Sequence, residues 1–210
     1  MYVVLMAMLA LNISTEVLNG FSIVEESLNR TTSNSSKENE SIYSDFLEQM
    51  KTNPEKVKAW FDKATMVKQM SDSLYNYAQS LKEQIVKEAD GDDADLNNIV
   101  GKDNLEAAAH VMLAPGTGQG KKLYDAINSY RERILKMVND DHQRQLIAEN
   151  LSTKIPKKGN ALGKNWQEYM FEDMPVAAAV TLLAKLQSDI RYAEGEVLSN
   201  LLSSVDVRDY

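Results

Sequence analysis

The feature that most constrains this chain is the stretch between Asn53-Pro54 and Asp90-Gly91. Within it Val57, Trp60, Phe61, Ala64, Val67, Met70, Leu74, Tyr77, Leu81 and Ile85 recur at three- and four-residue steps, which puts them on one face of an α-helix. No Gly or Pro falls inside the run, so the pattern predicts roughly nine unbroken turns. A helix that long needs a partner for its apolar face, because propensity alone leaves it marginal in water. The boundaries carry their own signals. Asn53 is placed to cap the first turn with Pro54 at the first helical position, and Asp90-Gly91 ends the helix.

The same periodicity recurs elsewhere. Tyr43, Phe46, Leu47 and Met50 follow it, as does a short segment at 105–113. A long helix is predicted over about 121–151, with Leu123, Ile127, Tyr130, Ile134, Met137 and Val138. A last one begins near Asp173, with Met174-Pro175 in its first turn and Ala177, Ala178 and Ala179 offering close approach. Between them, APGTGQGKK (114–122) and KIPKKGNALGKN (154–165) read as loops, the second of them basic. TTSNSSKENES (31–41) reads as a linker by composition, or as a solvated helical extension since it lacks Gly and Pro. Only 4 prolines and 9 glycines punctuate the chain, few for a protein of many strands and turns. The expectation is an all-α chain: a single transmembrane helix followed by an antiparallel helical bundle. Its divisions would be a membrane helix over 1–24, a helical extension or linker over 25–41, a bundle over 42–203, and the start of a linker to a further domain over 204–210.

The membrane expectation rests on MYVVLMAMLALNI (1–13), which contains no charge. Thirteen helical residues cover only about 20 Å of a ~30 Å hydrocarbon core. Extending the run to Phe21 or Val24 reaches the span and places Glu16 near the far interface. The alternatives are a buried helix of a soluble domain and a signal peptide. The latter calls for early basic residues and an A-x-A-like cleavage site, whereas here no Lys or Arg precedes Arg30. Residues upstream of Met1 are expected. Asn12 is the notable polar group: in an apolar helix a lone Asn seeks a hydrogen bond on another helix, unless it lies at the interface and binds water. Ala7 and Ala10 add small surfaces, and with Tyr2, Ser14 and Glu16 they complete the candidate contacts to a partner or a second copy.

Other chemistries are poorly supported. A net charge of -8 argues against nucleic acid, where affinity comes from neutralising phosphates. The absence of cysteine removes disulfides, thiolate metal sites and cysteine nucleophiles. The segment Pro115 to Lys122 has Pro and Lys where a phosphate-binding loop needs Gly and Ser/Thr. His110 and His142 fall in different predicted helices, and Asp90 to Asp95 lacks calcium-loop spacing. No nucleophile, base and orienter converge. No catalytic, cofactor or metal residue is therefore assigned, and the chain is read as a non-enzyme.

Three blocks, MYVVLMAMLALNISTEVLNGF (1–21), SDSLYNYAQSLKEQIVKEADG (71–91) and MPVAAAVTLLAKLQSDIRYAE (174–194), resemble the GldM/PorM family of the type IX secretion and gliding machinery. The resemblance implies a single-pass inner-membrane protein with its bulk in the periplasm. It also implies a homodimer whose helices pair in the membrane with a multi-helix GldL/PorL-type subunit, contacts to other periplasmic secretion components, and a motor driven by the proton-motive force. The family's basic cytoplasmic tail before Tyr2 and its later β-rich domains have no counterpart here. The competing expectation is a soluble or peripheral helical adaptor or scaffold.

Overall fold

The computed structural model describes residues 13–207, with side chains through Val205. Among them are seven α-helices and no strand. They are α1 (Thr15–Thr52), α2 (Pro54–Asp90), α3 (Ala107–Leu113), α4 (Gly120–Leu135), α5 (Asp141–Asn150), α6 (Trp166–Phe171) and α7 (Val176–Val207), with a 3₁₀ turn at Gly159–Ala161.

Three long helices make the frame. Ser14 caps α1, its side chain accepting from the Val17 N–H at 3.2 Å. The single residue Asn53 separates α1 from α2 and caps the latter, accepting from the Lys56 N–H at 3.4 Å, with Pro54 opening the helix. α7 packs against both. Its Ala177, Ala178 and Ala179 are all buried, and the backbone N–H groups of Val176 and Ala177 donate to the carbonyls of Asn104 and Lys102, both at 3.1 Å. Those bonds satisfy two of the four orphan donors at its start. The core is one cluster running from Phe46 and Val57 through Leu81, Ile134 and Phe171 to Val205.

The antiparallel arrangement holds for α1–α2 and α2–α7 but not for α1–α7. Thr181 bonds the Phe21 carbonyl and Glu194 meets Asn39, so α7 runs parallel to α1. The cause is residues 91–175, whose short helices bring the chain back to the end where α2 finished. The long helix expected over 121–151 is broken after Leu135. Asp140 caps a new helix by accepting from the Gln143 N–H at 2.8 Å, and the Arg144 guanidinium donates to the Leu135 and Val138 carbonyls. Residues 31–41 lie inside α1.

The single transmembrane helix expected over 1–24 is corrected. Among the described residues no helix is long and apolar enough to cross a membrane. From Thr15 onward the supposed span is the first part of α1. This segment is docked on the bundle, with Thr181 Oγ1 3.2 Å from the Phe21 carbonyl and Glu25 4.0 Å from the buried Lys82 ammonium. It also carries Glu16, with Glu25 and Glu26 directly after residue 24, charges that are costly inside a membrane. The single-pass inner-membrane location, the pairing with GldL/PorL-type membrane helices and the membrane-anchored, proton-motive-force motor rested on that span and are corrected with it. Residues 1–12, which include Tyr2, Ala7, Ala10 and Asn12, lie outside the described residues.

Candidate functional site

The chemistry of the molecule is concentrated where α1, α2 and α7 meet. α1 buries Thr32, Asn39 and Phe46, one position every seven residues, as expected of a helix lying along its neighbour at a shallow angle. Two of those three are polar, and α7 answers with Gln187 and Glu194, again seven apart on a stripe otherwise made of Leu183, Ile190 and Val197.

Glu194 is 2% exposed. Its carboxylate accepts from Asn39 Nδ2 at 3.3 Å, Arg191 Nη1 at 2.9 Å and the Tyr43 hydroxyl at 3.0 Å. Asn39 Nδ2 also donates to the Arg191 carbonyl at 3.0 Å. The Arg191 guanidinium reaches Asp72 at 2.8 Å and stacks over the Tyr75 ring at 4.2 Å. Beneath it Tyr130 shares a hydrogen bond of 2.6 Å with Ser71 and donates to the Ile190 carbonyl at 3.4 Å. Toward the start of α1, Lys82 Nζ donates to Gln187 Oε1 at 3.0 Å, while Gln187 Nε2 donates to Gln79 and to the Tyr75 carbonyl.

Burial dominates the electrostatics. It pushes the Glu194 carboxyl above the usual carboxylate range, against the pull of Arg191 and the Tyr43 hydrogen bond. It raises the Tyr43 phenol, with the Glu194 charge adding to the effect, and raises Tyr130 despite the bond from Ser71. It lowers the Lys82 ammonium, which Glu25 only partly supports. Arg191 is the exception: burial opposes its charge, but bonds to Asp72 and Glu194 outweigh burial and hold it firmly protonated.

This arrangement ties α1, α2 and α7 to one another. The groove of about 630 Å³ is bordered by Tyr130, and neither it nor the groove of about 840 Å³ is lined by Glu194, Arg191 or Asp72. A buried charge network adds little net stability, but removing one member leaves its partner buried and uncompensated.

The residues singled out in the sequence stand apart from this seam. Ser14 is the α1 cap and Glu16 lies exposed in the first turn. His110 is exposed, 3.2 Å from Glu88, and His142 is exposed on α5. Asp90 closes its own loop by accepting the N–H groups of Val100 and Gly101 at 2.8 and 2.7 Å. Two glycines of 114–122, Gly118 and Gly120, serve packing: a Cβ on Gly120 would lie 2.6 Å from Gln167 Cβ and 2.8 Å from the Met112 carbonyl. Among the described residues no group of three or more acids or histidines is placed to hold a metal. The seam residues Asn39, Asp72, Lys82, Gln187, Arg191 and Glu194 escaped the sequence reading. The available signal was polar residues at apolar-stripe spacing on α7 and the seven-residue step on α1.

No curated protein matches the chain. The GldM N-terminal domain family matches residues 16–204, which covers the whole frame from the first turn of α1 to the last turns of α7. The match covers most of the sequence, and the chain belongs to the GldM family through its N-terminal domain.

Proposed function

We infer that the chain is a helical scaffold or adaptor of the type IX secretion and gliding machinery with which its family is associated. Proteins of this family are non-catalytic motor or scaffold components, and the chain is read as one of them. The observation that carries the scaffold reading is the Asp72–Arg191–Glu194–Tyr43 seam. It ties helices of 38, 37 and 32 residues together along a shared face. A scaffold needs its long elements held in one alignment, and a buried network whose charges pair across three helices favours that alignment.

The test is Arg191→Met in the full-length protein. Stranding Glu194 without its cation is expected to cost about 3–5 kcal/mol. Amide exchange in α1 and α7 should accelerate, and recovery of secretion-machinery components by co-purification should fall together with secretion. A variant with loosened helices but undiminished partner recovery and secretion would refute the scaffold reading.

A further inference from the structure

One surface stands out from the acidic background. The sequence from Asn150 to Gln167 carries Lys154, Lys157, Lys158 and Lys164 and no acid, in a chain of net charge -8. The fold wraps this segment around the start of α4 and forms an open cleft of about 840 Å³. Lys121, Lys154, Lys157 and Lys164 line it together with Tyr124 and Trp166, and no carboxylate does. Lys121 and Lys164 are tied to Asp125 and Glu172 at 2.6 and 3.1 Å. The side chains of Lys154, Lys157 and Lys158 are exposed and have no carboxylate partner among the described residues. The rings of Tyr124 and Trp166 lie 5.9 Å apart and form an apolar wall. At the tip of the same segment Leu162 is 73% exposed.

We propose that this cleft docks an acidic, extended peptide segment of a partner protein. The proposal rests on the scaffold reading and gives it a contact surface. Separated ammonium groups around an open cleft match carboxylates distributed along a chain, and the aromatic wall suits the apolar side chains between them. A compact phosphate is matched less well. Such a group is best held by converging backbone N–H donors or a guanidinium fork. Here the start of α6 is already closed by its capping box, in which Asn165 accepts from the Glu168 N–H at 2.9 Å and Glu168 accepts from the Asn165 N–H at 3.1 Å. The cations lining the cleft are all lysines.

The probe is a short fluorescein-labelled peptide of glutamates interspersed with leucine and phenylalanine, titrated by anisotropy against the whole chain. The double variant Lys154→Glu/Lys157→Glu is compared with Lys37→Glu/Lys87→Glu, which reverses the same charge at exposed sites on α1 and α2. Loss of roughly tenfold in affinity is expected for the cleft variant only, with affinity falling as salt rises. With Trp60→Phe as background, Trp166 fluorescence should respond to the peptide. Absence of binding, or equal loss in both variants, overturns the proposal. So does tighter, Lys154/Lys157-dependent binding of phosphatidylglycerol-rich vesicles or of inorganic polyphosphate, because the cleft then serves a lipid surface or a phosphate polymer. The scaffold reading is judged separately by the Arg191→Met result. A failed peptide titration alongside a positive Arg191 result removes the cleft alone.

Discussion

A single carboxyl, Glu194, illustrates how burial and pairing compete. Its folded pKa lies above the unfolded value because burial outweighs the support of Arg191 and Tyr43. The folded state therefore keeps the proton to higher pH than the unfolded chain. The stability tied to this linkage is fully present below the ordinary carboxylate range and is lost as pH rises through the raised value. Asp189 has the same sign, with burial exceeding the pull of Lys185. Mild acidification from neutral pH should thus make these two sites less costly. Glu194→Gln removes one of them while keeping an acceptor for the Tyr43 hydroxyl. Melting curves across pH 5 to 7, values spanning the window above ordinary carboxylate titration, should show a flatter pH dependence in the variant than in the parent. Identical slopes would mean that Glu194 is not linked to stability in the way burial implies.

Among the elements, α1 is the one whose sequence conceals its role. TTSNSSKENES has the composition of a linker, yet it is helix, seated by Thr32 and Asn39 at the seven-residue step that Phe46 continues. Two glycines measure how tightly the long helices meet. A Cβ on Gly195 would stand 2.6 Å from Asn39 Oδ1, whereas one on Gly20 would meet nothing within 4 Å. Gly195→Ala should displace Asn39 from Glu194 and from the Arg191 carbonyl, at a net cost of about 1–3 kcal/mol. Gly20→Ala relieves the entropy of a mid-helix glycine and should stabilise by about 0.5–1 kcal/mol. Urea unfolding of the two variants checks both signs. A Gly195→Ala protein as stable as the parent would show that α1 and α7 separate without loss.

For the whole molecule, the single core cluster implies that the long and short helices unfold together. Trp60 on α2 and Trp166 on α6 both pack against that cluster, far apart in sequence. Ile190 is fully buried at the centre of α7. Ile190→Ala should cost about 2–5 kcal/mol through lost burial and the cavity left behind. The transition should move by the same amount for helical circular dichroism and for the fluorescence of each tryptophan in single-Trp variants. Separate transitions would divide the long-helix frame from α3 to α6.

Helical content, the Asn53-Pro54 junction, the stop at Asp90-Gly91 and the close-packing alanines of α7 were legible in the sequence. Each depends on residues within a turn or two of one another, where spacing and capping chemistry act directly. The break at Asp140 was partly legible in Asn139-Asp140-Asp141, but periodicity running through Met137 and Val138 masked it. The apolar opening suggested a membrane span because a hydropathy run carries no information about what its continuation packs against. Its described part meets α7 at Phe21, whose carbonyl accepts from the Thr181 hydroxyl. Only the tertiary structure decided that α7 runs parallel to α1, that Glu194 is inside while Glu16 is outside, and that lysines of separate segments border one cleft. Asn39 and Arg191 meet across 152 residues of chain, and nothing local in either segment selects that partner. A carboxylate reads the same in sequence whether water or a guanidinium surrounds it, and the difference arises when the helices close around it.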